Sequence, residues 1–220
     1  AEAQAKAEAQ AKAEAQAKAE AQAKAEAQAK AEAAPAVAAA EGAAPQVSAP
    51  ARVEPAAASL ATLALVQSQA NPKRKVQVKL SSSVLKIGKS SLEMAITSSH
   101  NGYVYLVLLG SDAKSFYILF PNGLDGDNYI KAGQPMALPR ATWSVMAAGP
   151  AGVDQILVIV SDSPRKLDGL VLQAPSADDP FTYALNNLDG RSALVDFLTS
   201  SAPGASESFG AKRVTIQEVP

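Results

Sequence analysis

Hydrophobic and polar positions along the chain fall into stretches of different period. Residues 100–122, HNGYVYLVLLGSDAKSFYILFPN, hold two apolar runs, 103–109 and 115–120, rich in β-branched and aromatic residues. The polar interval Gly110-Ser111-Asp112-Ala113-Lys114 between them has hairpin-loop length, so the two runs predict a β-hairpin. Tyr103, Tyr105, Val107 and Leu109 share one face of the first run, and Val104, Leu106 and Leu108 share the other. A strand apolar on both faces belongs in the middle of a sheet covered on both sides, which puts Leu106 at the centre of the core. Residues 76–80 and 92–97 alternate between apolar and polar as half-buried strands do, and Asn101-Gly102 turns the chain into the hairpin. Residues 143–147 and 155–161 predict two further strands joined by Gly149-Pro150-Ala151-Gly152, and 213–217 a last one. Between them, residues 167–201 change to three- and four-residue steps: Phe181, Ala184, Leu185 and Leu188, then Ala193, Leu194, Phe197 and Leu198. Two helices are predicted there, the first with Asp179 as its cap and Pro180 at its first position, the second following Asp189-Gly190. The fold class is mainly β (α+β): an antiparallel β-sandwich-like domain over residues 76–220 with a helical insertion.

The first third of the chain has another pattern. Residues 1–30 are five copies of Ala-Glu-Ala-Gln-Ala-Lys, and a sixth begins at 31–33. Every residue is a strong helix former, and each Glu precedes a Lys by four positions, as Glu2 precedes Lys6. Alanine at period 2 spreads Glu, Gln and Lys around the whole helix, so residues 1–33 predict a solvated spacer rather than a coiled-coil seam. At about 1.5 Å per residue such a rod reaches roughly 50 Å. Its composition resembles the long Ala/Lys/Glu-rich helix of the periplasm-spanning protein TolA. Pro35, Pro45, Pro50 and Pro55 then mark residues 34–59 as an Ala/Pro-rich linker. In 60–75, Leu60, Leu63, Leu65 and Val66 recur at helical spacing before Asn71-Pro72, which predicts either a short docked helix or a leader. Lys73-Arg74-Lys75 reads as a solvated strand edge.

Composition narrows the classes of function. The chain has 220 residues, 20 basic and 21 acidic, for a formal charge of -1, so no long-range field favours nucleic acid. Cysteine is absent, which removes disulfides and thiolate metal sites. No apolar run reaches the roughly 18 residues that argue a membrane span, and no charged n-region with a following apolar segment opens the chain. The chain starts within a repeat and without methionine, as a processed product or a piece of a longer protein does.

Candidate chemistry is sparse, and no catalytic residue or cofactor is expected. Gly88-Lys89-Ser90 matches the end of a phosphate-binding loop, but that motif needs glycine where Ser83 stands. His100 is the only histidine, too few for a Cys/His or multi-His metal site, and it reads as a turn residue before Asn101-Gly102. A Ser-His-Asp hydrolase would need His100 as its base, and no Gly-x-Ser-x-Gly elbow accompanies it. Asn122, Asp125, Asp127 and Asn128 form the one oxygen-rich cluster, a weak candidate calcium site that departs from the EF-hand pattern at Tyr129. The same residue types serve tight turns, the reading preferred here.

Asn101-Gly102-Tyr103 before a hydrophobic strand, Phe120-Pro121-Asn122 ending the next, Asp127-Asn128-Tyr129-Ile130, Gly133, Pro139, Pro150-Ala151-Gly152 and a strand ending at Ser161 together resemble the bacterial domain-of-unknown-function family 4384, over roughly residues 76–218. The resemblance implies a domain often found at the C-terminal end of larger proteins, among them membrane serine/threonine kinases associated with type VI secretion. No kinase Gly-rich loop, His-Arg-Asp or Asp-Phe-Gly is present in these residues. The expectation is a non-catalytic binding or sensing module with a protein or cell-envelope partner, in the bacterial periplasm or cell envelope, with the cytoplasm as the alternative compartment. The alternative is an uncharacterised hydrolase.

Overall fold

The computed structural model describes residues 55–165 and 179–220. The repeat helix expected over 1–33, most of the linker expected over 34–59 and residues 166–178 of the helical region lie outside them. The elements are α1 (Pro55–Ser68), β1 (Val76–Leu80), β2 (Val84–Lys86), β3 (Met94–Ser98), β4 (Gly102–Leu109), β5 (Ser115–Phe120), β6 (Tyr129–Ile130), β7 (Met136–Leu138), β8 (Gly152–Ser161), β9 (Thr182–Leu185), α2 (Leu188–Thr199) and β10 (Phe209–Val219).

Strands β2-β10-β8-β4-β5-β9 make one sheet, with β6 also paired to β4, and β1-β3-β7 make a second. The predicted hairpin is present as β4 and β5, and β4 lies inside the larger sheet with β8 on its other side. Its two apolar faces feed two cores. Val104 and Leu106 join Ile156, Val158 and Val160 of β8, Ile216 of β10 and Met94 and Ile96 of the small sheet. Tyr105, Val107 and Leu109 join Leu157 and Ile159 of β8, Leu63 and Val66 of α1, and Leu194, Phe197 and Leu198 of α2. The domain is therefore layered as small sheet, large sheet, helices, and the period-2 alternation of the central strands sends alternate side chains to each side. An irregularity opposite Leu106 and Val107 shifts the β5 register, so that Leu119 and Phe120 in succession both reach the inter-sheet core.

Helix α1 is docked, and it starts at Pro55, five residues inside the segment expected as linker. Leu63 and Val66 are fully buried, which at about 1.5–3 kcal/mol per side chain is enough to hold a short helix in place. Its two buried hydroxyls return to the backbone, Ser59 donating to Ala56 O and Thr62 to Ala58 O, each at 3.0 Å. Beyond it Asn71 N donates to Phe209 O at 2.8 Å. Arg74 departs from the expected solvated edge: its guanidinium meets Asp162 Oδ2 at 2.6 Å.

Three further expectations change. The helix predicted from Asp179 and Pro180 is strand β9, paired antiparallel with the open edge of β5. Asp179 Oδ1 does accept from Phe181 N at 3.1 Å, but the residues counted towards a helical stripe, Leu185 and Leu188, are 58% and 72% exposed, and pairing with β5 wins. Residues 143–147 form no strand: bracketed by Pro139 and Pro150, they make one isolated bridge, Ser91 to Met146. And the sheet is mixed, since β2 pairs parallel with β10. The second predicted helix is present as α2, with Asn187 as its cap accepting from Gly190 N at 2.8 Å. Asp189 and Gly190 lie within its first turn, where a Cβ at Gly190 would fall on the carbonyl of Leu185.

Candidate functional site

The inter-sheet core opens at one end into a pocket of about 270 Å³. Its floor is the inward face of the large sheet, with Leu108, Leu119, Ile156 and Ile216, and its cover is the irregular segment from Val145 to Gly149. That segment is held by backbone bonds from Leu92 N to Val145 O at 2.8 Å, Ala147 N to Ser90 O at 3.0 Å and Gly88 N to Ala147 O at 2.8 Å. Gly88-Lys89-Ser90, the fragment of phosphate-loop sequence, is part of this support: a tight turn with Gly88 at φ +70 and Ser90 N donating to Lys86 O. Met146, 55% exposed, lines the pocket, as do the aromatic rings of Tyr117 and Phe181.

Two acids share the phase of buried aliphatic residues on adjacent strands. Asp154 precedes Ile156 and Val158 on β8, and Glu218 follows Ile216 on β10; because Ile216 is the register partner of Asp154, the two carboxyls are diagonal neighbours on one face. Each is 7% exposed. Asp154 Oδ1 accepts from Ser111 N at 2.9 Å, and Glu218 Oε2 from Gly149 N at 2.6 Å. Gly152 permits this arrangement, since a Cβ there would come within 2.7 Å of Ser111 Cβ. Burial, and then the neighbouring carboxyl of Glu218 with which it also hydrogen-bonds, push Asp154 up to about 7. Asp112, on the loop of the hairpin, adds a third acid to the lining. Burial also raises Tyr117, with Asp112 and then Asp179 adding to it.

His100 lies elsewhere, at the far end of β8, where it is buried with Ser98. Nε2 is 3.1 Å from Val160 O, an acceptor only, so Nε2 carries the proton and Nδ1 accepts from Ser98 Oγ at 3.0 Å. Asp162 Oδ1 is 3.6 Å from Nε2. Serine, imidazole and carboxylate thus meet in the order of a hydrolase triad. Ser98, however, is 1% exposed, and its Oγ also accepts from the His100 amide at 3.2 Å.

The oxygen-rich cluster is dispersed among other tasks. Asn122 Oδ1 accepts from Leu124 N at 2.9 Å in a local turn, and Asn128 Nδ2 donates to Val104 O at 3.0 Å. Asp125 Oδ2 accepts from Arg140 Nε at 2.7 Å and from Trp143 Nε1 at 2.9 Å. Asp127 is 3.7 Å from Arg140 Nη1, and its backbone carbonyl accepts from Arg140 Nη2. Arg140 also lies over Phe120, whose ring stacks on Trp143 with centroids 5.9 Å apart. The loop from 121 to 133 is tied to the core by this arginine, and among the described residues no group of three or more His, Cys, Asp or Glu side chains is arranged to hold a metal ion.

Comparison with known families meets the same part of the fold. Residues 84–164 match the family described as a domain of unknown function, DUF4384. No curated protein and no solved structure matches the chain. The DUF4384 match is narrower than the 76–218 expected, and runs from β2 through β8. It takes in the hairpin, the 121–133 loop, the pocket cover and Asp154, whereas α1, β1, α2 and β10 with Glu218 fall outside it. Among the described residues no helix is long and apolar enough to cross a membrane.

Sequence reading passed over the Asp154–Glu218 pair. The signal available was phase: an acid two residues from a buried isoleucine, Asp154 before Ile156 and Glu218 after Ile216. Which strands are adjacent, and in what register, is set only by the folded sheet.

Proposed function

We propose that the DUF4384-matching domain is a non-catalytic binding or sensing module whose ligand site is the pocket between the two sheets. The observation that carries this reading is the pocket itself, an apolar cavity at the end of a rigid sheet with a small set of converging polar groups. In the fuller form of the proposal, the domain is the C-terminal, extracytoplasmic part of a larger bacterial membrane protein, displayed in the envelope on the N-terminal repeat, with a type VI secretion-associated serine/threonine kinase as the parent. The repeat composition and the family resemblance support that form. A C-terminal fusion to a phosphatase that folds only in the oxidising periplasm is expected to be active in cells producing the parent protein; a full-length fusion that accumulates without phosphatase activity would remove the envelope assignment.

The hydrolase reading has one specific observation in its favour, the Ser98–His100–Asp162 contact, and burial of Ser98 against it. The test is direct. The purified chain is incubated with activated ester and amide substrates and screened for ligands by thermal shift. No turnover above buffer, with ligand hits that perturb the Met146 methyl signal, is the expected result. Turnover abolished by Ser98→Ala would make the domain a hydrolase.

A further inference from the structure

The pocket has a polarity as well as a volume. Asp112, Asp154 and Glu218 line it, and among the described residues no Lys, Arg or His does. Among the described residues no basic side chain is in ion-pair range of Asp154 or Glu218, and their partners besides each other are the amides of Ser111 and Gly149. Lys114 reaches Asp112 only from solvent, at 3.9 Å with its side chain 82% exposed. Burial, and then the neighbouring Glu218 carboxyl, push Asp154 up to about 7, with no cation among the described residues beside it to offset them. Aromatic rings share the lining, Tyr117 and Phe181, with Tyr183 against Tyr117 at a centroid separation of 5.8 Å. Ring faces together with carboxylates favour an ammonium group over a neutral or anionic one. The remaining wall is hydrocarbon.

We propose that this pocket binds a small primary amine carrying a hydrocarbon body, the body against Leu108, Ile156 and Ile216 and the ammonium between Asp154, Glu218 and Asp112. The inference rests on the reading of the domain as a binding module and specifies its ligand class. A bound ammonium gives the two carboxyls the positive partner that no described residue supplies.

Three probes with one hydrocarbon body separate the possibilities: octylamine, octanol and octanoate, titrated at pH 8 into the full chain carrying isotope-labelled methionine methyls. Met146 lines the pocket and Met94 and Met136 do not, so the methyl spectrum reports both binding and place. Octylamine is expected to shift Met146 alone, with an affinity at least tenfold above octanol, and octanoate to leave the spectrum unchanged. In the Asp154→Asn, Glu218→Gln double variant the amine and the alcohol should become equivalent, and Asp112→Asn, at the more exposed acid, should reduce the preference without threatening the fold. Octanol binding as tightly as octylamine at Met146 would overturn the amine assignment while leaving the binding-module reading intact. Failure of all three probes to shift Met146 would overturn both.

Discussion

Asp154 shows at the scale of one residue how a site differs from a fold. On β8 the inward positions that follow it, Ile156, Val158 and Val160, are aliphatic, and the carboxyl is held there by a backbone amide and a second acid, an arrangement that costs stability. The ordinary carboxyl value is 3.8 and the folded one about 7, so between those values the folded chain binds more protons than the unfolded chain. Stability from this group is therefore greatest below about 4, falls as pH rises to about 7, and is level above that. The loss is expected on the order of 1–2 kcal/mol, less than the full shift implies, because the pocket mouth admits solvent. Urea midpoints taken from pH 4 to pH 8 should decline in the wild type and much less in Asp154→Asn; parallel curves would assign the slope to another group. A second residue, Asp125, carries the opposite lesson. A weak candidate calcium ligand by its sequence neighbours, it is the acceptor for Arg140 and Trp143. Asp125→Ala leaves the buried indole N–H of Trp143 unmatched and takes a partner from the half-exposed Arg140, and should cost about 1–3 kcal/mol. Melting curves of the unaltered chain in chelator and in millimolar calcium should coincide, and a rise of several degrees with calcium would restore the metal reading.

At the scale of elements, β4 is the member on which both cores depend. Leu106 is 1% exposed, between β8 and β5, and Leu106→Ala is expected to cost about 2–5 kcal/mol by leaving a cavity between the sheets. A loss below about 1 kcal/mol in chemical denaturation would contradict its central place. The hairpin was legible because eight and six consecutive residues carry the pattern. Strands β2, β6 and β7, of three, two and three residues, contain too few positions to show a period and exist through their partners. Strand β9 was misread for a related reason. Four residues with two apolar phases fit a helix turn as well as a strand, and the unpaired edge of β5 decided between them. Helix α2 was legible because Leu194, Phe197 and Leu198 repeat on one face, and its cap gives a check: Asn187→Ala should lower stability by about 1 kcal/mol, whereas Asn187→Ser should be nearly neutral.

At the scale of the whole molecule, α1 moves the edge of the folding unit. Leu63 and Val66 belong to the helix-side core, so a chain beginning at Pro55 should melt close to the full chain, while one beginning at Val76 should lose ten degrees or more. Equal melting of the two shortened chains would show that α1 adds nothing to the core. Thermal unfolding followed by the single Trp143, which stacks on Phe120 in the inter-sheet core, reads the transition from the opposite side of the large sheet.

The sequence by itself determined the mainly β class, the central hairpin, both faces of β4, helix α2, β1 and the last strand, because in each a run of residues long enough to show a period meets one environment throughout. Only tertiary structure decided what depends on register and edges: that β9 completes β5, that β2 runs parallel beside β10, that Arg74 crosses to Asp162, and that Asp154 and Glu218 face each other across two strands far apart in the chain. Hydrophobic periodicity reports which face of an element is buried, and carries no information about which other element lies beside it. The carboxyl pair and the pocket over it come from that second choice.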